Sequence, residues 1–185
     1  MAKIFIYIFS FLTITSVLSD SISKKELSAL KQSSVKKYQE KNYAEAIPLL
    51  EKYLSFRDEI QFKIYLAKSL ILRKDLEEPK EEDDAFLKKE KANLIQRNYN
   101  HSAFLFSESV TYLEEITPKD KKLGELYFLW AYAEYFGVNK EKAIGLFKKS
   151  AKLNPTLKNM ANYNIGTIYE ELGQKKDSSI YFNKP

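Results

Sequence analysis

The chain has 185 residues, 44% hydrophobic and 30% charged, with a net charge of +5 and a pI of about 9.0. It has no cysteine and one histidine, His101, which excludes a disulfide framework, a thiolate metal site, a cysteine nucleophile and a multi-histidine metal centre. With 13 Tyr and 12 Phe, only five Gly and five Pro, and no alternating apolar runs, it is expected to be all-helical.

Residues 1–19 read as a secretory signal peptide. Lys3 gives a short positive start, and Ile4 to Leu18 follow without a charge. Val17 and Ser19 are small enough for a signal-peptidase site, so the mature chain would begin at Asp20. The apolar run is shorter than the ~20 residues a membrane-crossing helix needs. The expected location is therefore outside the cytoplasm, periplasmic or secreted, in a bacterial envelope. Membrane attachment would come only through this segment, if it stayed uncleaved.

From residue 20 onward the chain reads as one helical domain. A first helix is expected near 22–40, with Leu30, Ser34, Val35 and Tyr38 on one face. Asn42 can cap a second helix over 43–54, in which Pro48 lacks one backbone N–H and should cause a modest bend. A third helix is expected near 59–74, carrying Leu66, Ala67 and Leu70. Residues 76–97 then break the spacing. They open with the acidic run Glu77 to Asp84 and continue with a short apolar stripe, Phe86, Leu87, Leu94 and Ile95, expected to pack back on the domain. The acidic run lacks the glycine-containing loop of a cation site and reads as a solvated loop before a helix. His101 reads as a half-exposed residue near the start of the helix that follows, which resumes the pattern at Asn98, Tyr99, Ser102, Phe106 and Ser109.

Asp120 can cap the next helix, which carries Leu126, Leu129, Trp130 and Ala133 and turns at Gly137. Asn139 can cap a helix with Ala143, Ile144, Leu146, Phe147, Ser150, Ala151 and Leu153 on its apolar side, stopped by Pro155. Thr156 is a candidate cap for the last pair, which contains Ile165, Gly166, Tyr169, Gly173, Ser178 and Phe182. A helix-turn-helix unit recurring about every 34 residues is the mark of a helical solenoid, whose units bury their apolar faces only against neighbours.

The segments Asn42 to Leu54 and Asn162 to Phe182 resemble the tetratricopeptide repeat family in their small and large residues. The resemblance implies an all-α, right-handed α-solenoid with repeats near 27–58, 59–118 (interrupted by 76–97), 120–155 and 157–185. Ser34, Ala46, Ala67, Ser102, Ala143 and Gly166 stand where small residues let helices approach, and Trp130 is read as replacing the small residue of the third repeat. The chain stops at Pro185 without a further capping helix, so self-association through the uncapped C-terminal repeat is one expected partnership.

In this family the first helix of each repeat lines a concave surface. The resemblance places Lys31, Val35 and Tyr38 there, then Ile64, Lys68 and Ile71, then Tyr127, Ala131 and Glu134, then Tyr163, Thr167 and Glu170. Packing against a neighbouring helix is the competing role for each. Lys31 matches part of a carboxylate clamp known in some relatives, but Val35 stands where that clamp needs Asn, so the clamp is not carried over. The implied function is an exported scaffold that binds a protein or peptide, with no catalysis, cofactor or metal. The interleaving of Lys with Glu disfavours nucleic acid as a partner. The alternative is a basic helical protein attaching to an acidic polymer or an anionic membrane surface, recognisable by steep salt dependence.

Overall fold

The computed structural model describes residues 22–137 and 139–183. The proposed signal segment, 1–19, and the chain end at Pro185 lie outside the described residues. Eight α-helices are described: α1 (Lys24–Gln39), α2 (Tyr43–Leu54), α3 (Ile60–Leu72), α4 (Ala85–Ile116), α5 (Lys121–Phe136), α6 (Lys140–Leu153), α7 (Lys158–Glu171) and α8 (Lys175–Phe182). There is no strand among the described residues. Each helix packs chiefly on its neighbours in the chain, and one core runs through the array from Ala46 to Ile168. This is the all-α solenoid of helix hairpins that the periodicity predicts.

The caps explain the boundaries. Ser23 and Glu26 form a reciprocal capping box at α1. Asn42, Asp120 and Asn139 accept backbone N–H groups at the starts of α2, α5 and α6, as their sequence positions predict. Thr156 does not cap α7. Asn154 accepts from the Thr156 backbone N–H and hydroxyl, the chain makes a 3-10 turn over Pro155–Leu157, and α7 starts at Lys158. Gly173, at a φ of +74°, ends α7 in the left-handed conformation that glycine adopts at least cost.

Ser34, Ala46, Ala67, Ser102, Ala143 and Gly166 are all buried, as their crossing role requires. Two hairpins are also tied by hydroxyls that donate across the crossing. Ser102 Oγ donates to the Ala67 carbonyl at 2.9 Å, and Ser150 Oγ donates to the Gly124 carbonyl at 2.7 Å. In the third repeat the small residue is Ala131, not Trp130: Ala131 is 0% exposed and takes the place Gly166 has one repeat later. Trp130 instead lies parallel to Tyr127 and donates from Nε1 to Glu134 Oε1 at 2.8 Å.

The segment 76–97 is not a separate element. Residues 73–84 form an irregular connection, and α4 begins at Ala85 and runs unbroken for 32 residues, roughly 48 Å. No Gly or Pro interrupts the chain between Asp84, its N-cap, and Thr117. The apolar stripe does not pack back on the array. Phe86, Leu87 and Leu94 are 70%, 39% and 46% exposed, and only Ile95 is half-buried. The start of α4 is held by charge instead, with Lys91 Nζ 2.9 Å from Asp83 and 3.0 Å from Glu77. His101 is an exposed residue in the interior of α4, not near a helix start.

Candidate functional site

The first helices of the hairpins, α1, α3, α5 and α7, carry aromatic side chains that are only partly buried. Aromatic rings that retain exposure offer large contact area at low entropy cost. On α1, Tyr38 stacks on Tyr65 of α3 with ring centroids 4.2 Å apart and lies 6.0 Å from Tyr43. Burial, with Tyr43 and Tyr65 adding to it, pushes the Tyr38 hydroxyl up to about 12.

A larger cluster lies where α4 meets α5. Tyr99 stacks on Phe136 at 5.2 Å, and Phe136 also contacts Tyr132 and Tyr135, each at 4.6 Å. Tyr135 donates its hydroxyl to Glu171 at 2.6 Å, which links α5 to α7. Burial first, and the Glu171 carboxylate second, hold the Tyr135 hydroxyl well above the ordinary tyrosine value. The Tyr135 hydroxyl, then Lys140, hold Glu171 below the usual carboxylate range. Phe136 stays 43% exposed, and Tyr163 on α7 is 65% exposed.

The sequence-predicted residues divide into two groups. Val35, Tyr38, Lys68, Ile71 and Thr167 are half-buried, and Lys31, Tyr163 and Glu170 are exposed. Ile64, Tyr127, Ala131 and Glu134 are buried, at 7%, 1%, 0% and 9% exposure, and present no usable surface. Glu134 instead locks α5 to α6. It accepts from Trp130, and Lys142 Nζ sits 2.6 Å from the same carboxylate oxygen and 4.9 Å from the Trp130 ring centre. Lys31 is exposed but committed, bridging to Glu59 at 2.9 Å, and Glu59 also accepts the Tyr53 hydroxyl.

The misplacement on α5 has a simple origin. Small residues stand twelve apart in three repeats, at 34 and 46, 131 and 143, and 166 and 178. Counting from Ala131 rather than Trp130 moves the outward positions of α5 by one residue, about 100° of helix. That rotation exchanges Tyr127, Ala131 and Glu134 for Phe128, Tyr132 and Tyr135, all half-buried. Tyr99 had no such signal, because it lies on a second helix.

A groove of about 290 Å³ between α2, α3 and α4 is lined by Glu51, Leu54, Asp58, Lys63, Leu66, His101 and Leu105. Lys63 pairs there with Asp58 at 2.7 Å, and with Glu108 at 3.1 Å. Among the described residues, no three His, Asp or Glu side chains converge as metal ligands do.

No family model matches the chain. No curated protein matches it. Three solved structures of MamA are similar to it over most of their length. MamA of MSR-1 is 17% identical, with a TM-score of 0.42, covering 85% of this chain and 93% of its own. MamA of AMB-1 is 14% identical, with a TM-score of 0.40, covering 84% and 94%. MamA of Desulfovibrio magneticus RS-1 is 16% identical, with a TM-score of 0.41, covering 89% and 94%. Likenesses this distant carry no inference about what the chain does, and its fold class stands on its own helices and their packing.

Proposed function

We propose that this chain is a non-catalytic interaction scaffold whose first-helix face binds a peptide or protein. The observation that carries the reading is the partly exposed aromatic face of α5 and α7. There Phe136 tops a cluster of four rings and Tyr163 stands 65% exposed. The rings are fixed on rigid helices, so little side-chain entropy is lost when a partner covers them. Val35, Tyr38, Lys68 and Ile71 continue the same type of surface on α1 and α3. The test is affinity capture from the source cell's envelope fraction, comparing the natural chain with Phe136→Ser/Tyr163→Ser. Both side chains are exposed, so the variant should fold. Partners retained equally by both forms would refute the reading.

Export is part of the same proposal, supported by Lys3 and the uncharged run 4–18 before Val17 and Ser19. Mass spectrometry of the protein recovered from cells should find an amino terminus at or within a few residues of Asp20. An intact Met1 would contradict it.

A further inference from the structure

An open cleft of about 480 Å³ lies where the α1–α2 turn meets the end of α3, beside Tyr43, whose ring is 6.0 Å from that of Tyr38. Lys41, Tyr43 and Ala44 form one wall, and Leu72, Arg73, Lys74 and Asp75 form the other. Asp75 is taken by Arg73, 2.5 Å from its guanidinium. Lys41 and Lys74 are exposed and have no ion-pair partner among the described residues. Leu72, on the same wall as Lys74, is 42% exposed, so the cleft offers an apolar side chain together with those two cations.

The complementary surface is on the same chain. The connection from α3 to α4 carries Glu78, Glu81 and Glu82, all exposed and none in an ion pair among the described residues. Glu77 and Asp83 both pair with Lys91, which fixes the loop against α4. Directly after this acidic loop come Phe86, 70% exposed, and Leu87, 39% exposed. An acidic segment followed by apolar side chains is the chemistry that a cleft lined by Lys41, Lys74 and an exposed leucine accepts.

We propose that the cleft is a self-association site, and that it receives the acidic loop and Phe86 of a second copy of this chain. Because each copy carries both surfaces, a two-fold pair makes the contact twice, with each cleft taking the other copy's loop. In the pair, Lys41 and Lys74 of one copy meet Glu81 and Glu82 of the other, and Phe86 lies over Leu72. The contact is rim-like and solvent-accessible, so salt should weaken it strongly.

Sedimentation velocity of the full chain, at low and at high salt, reads the association. Two charge-reversed forms make it specific: Lys41→Glu/Lys74→Glu in the cleft, and Glu81→Lys/Glu82→Lys in the loop. All four side chains are exposed, and unchanged circular dichroism checks that the fold is kept. The natural chain should dimerise at low salt and dissociate at high salt. Each reversed form alone should bind itself at least about ten-fold more weakly. An equimolar mixture of the two reversed forms should associate again, because the acidic cleft of one then faces the basic loop of the other. A natural chain that stays monomeric at low salt overturns the proposal. So does association insensitive to either reversal, or a mixture that fails to restore it, which would leave the cleft to an acidic segment of another protein.

Discussion

Two glycines offer a test in which the same chemical change should have opposite signs. Gly145 lies in α6, and a Cβ built on it meets nothing within 4 Å. Gly145→Ala should therefore gain helix propensity alone, about 1 kcal/mol. Gly124 lies in the first turn of α5, where the end of α6 crosses it. A Cβ there would stand 2.5 Å from Asn154 Cβ and 2.9 Å from the Asn154 backbone nitrogen. Neither atom belongs to a flexible side-chain end, and Asn154 is only 1% exposed. The helices must separate, an overpacking cost of roughly 1–3 kcal/mol. Separation also strains the 2.7 Å bond from Ser150 Oγ to the Gly124 carbonyl, with about 1 kcal/mol more at stake. Set against a propensity gain of at most about 1 kcal/mol, Gly124→Ala should lose about 1–3 kcal/mol overall. The two variants should then differ by roughly 2–4 kcal/mol, or about 5–15 °C in Tm for a chain of this size. Urea and thermal melts followed by circular dichroism at the helical band would measure it. Variants within about 0.5 kcal/mol of each other would refute the close approach of α5 to Asn154.

Three further outcomes follow from the same contacts. Glu134→Ala should destabilise by about 2–3 kcal/mol, because it leaves the buried Trp130 N–H without its acceptor; denaturant melts check this, with Glu134→Gln expected to be milder. Asn162→Leu should stabilise by about 1 kcal/mol, since the buried Nδ2 has no hydrogen-bond partner among the described residues; a lower urea midpoint would contradict it. Glu59 is held below its ordinary value of 4.5 first by the Tyr53 hydroxyl and then by Lys31. Its contribution is present above about pH 4.5 and is lost as pH falls through its lower folded value, so Glu59→Gln should flatten the acid side of a stability–pH profile, and an unchanged acid slope would count against the network.

Much of the array was legible because its signals are local. Asn42, Asp120 and Asn139 each precede an apolar-periodic run, and each is a cap in the structure. Ala46, Ala143 and Gly166 mark crossings because only small residues fit there. The continuity of α4 was lost because the acidic loop and the family spacing suggested a break that no Gly or Pro enforces. Its exposed Phe86 and Leu94 show that an apolar stripe in a sequence does not by itself say that anything covers it. The α5 surface was misplaced because two neighbouring residues, Trp130 and Ala131, competed for one phase, and only packing decides which is at the crossing. The Tyr99–Phe136 stack joins residues from different helices, and no single-helix pattern records it.

The most direct test of the scaffold reading is site-specific photo-crosslinking in the source cells. A photoreactive residue is placed at Tyr163 on the aromatic face and, separately, at Gly145 on an open face of α6. The proposed function predicts a discrete crosslinked partner band from position 163 that is absent from position 145. Equal bands from both positions, or none from position 163 with the protein fully folded, would contradict it.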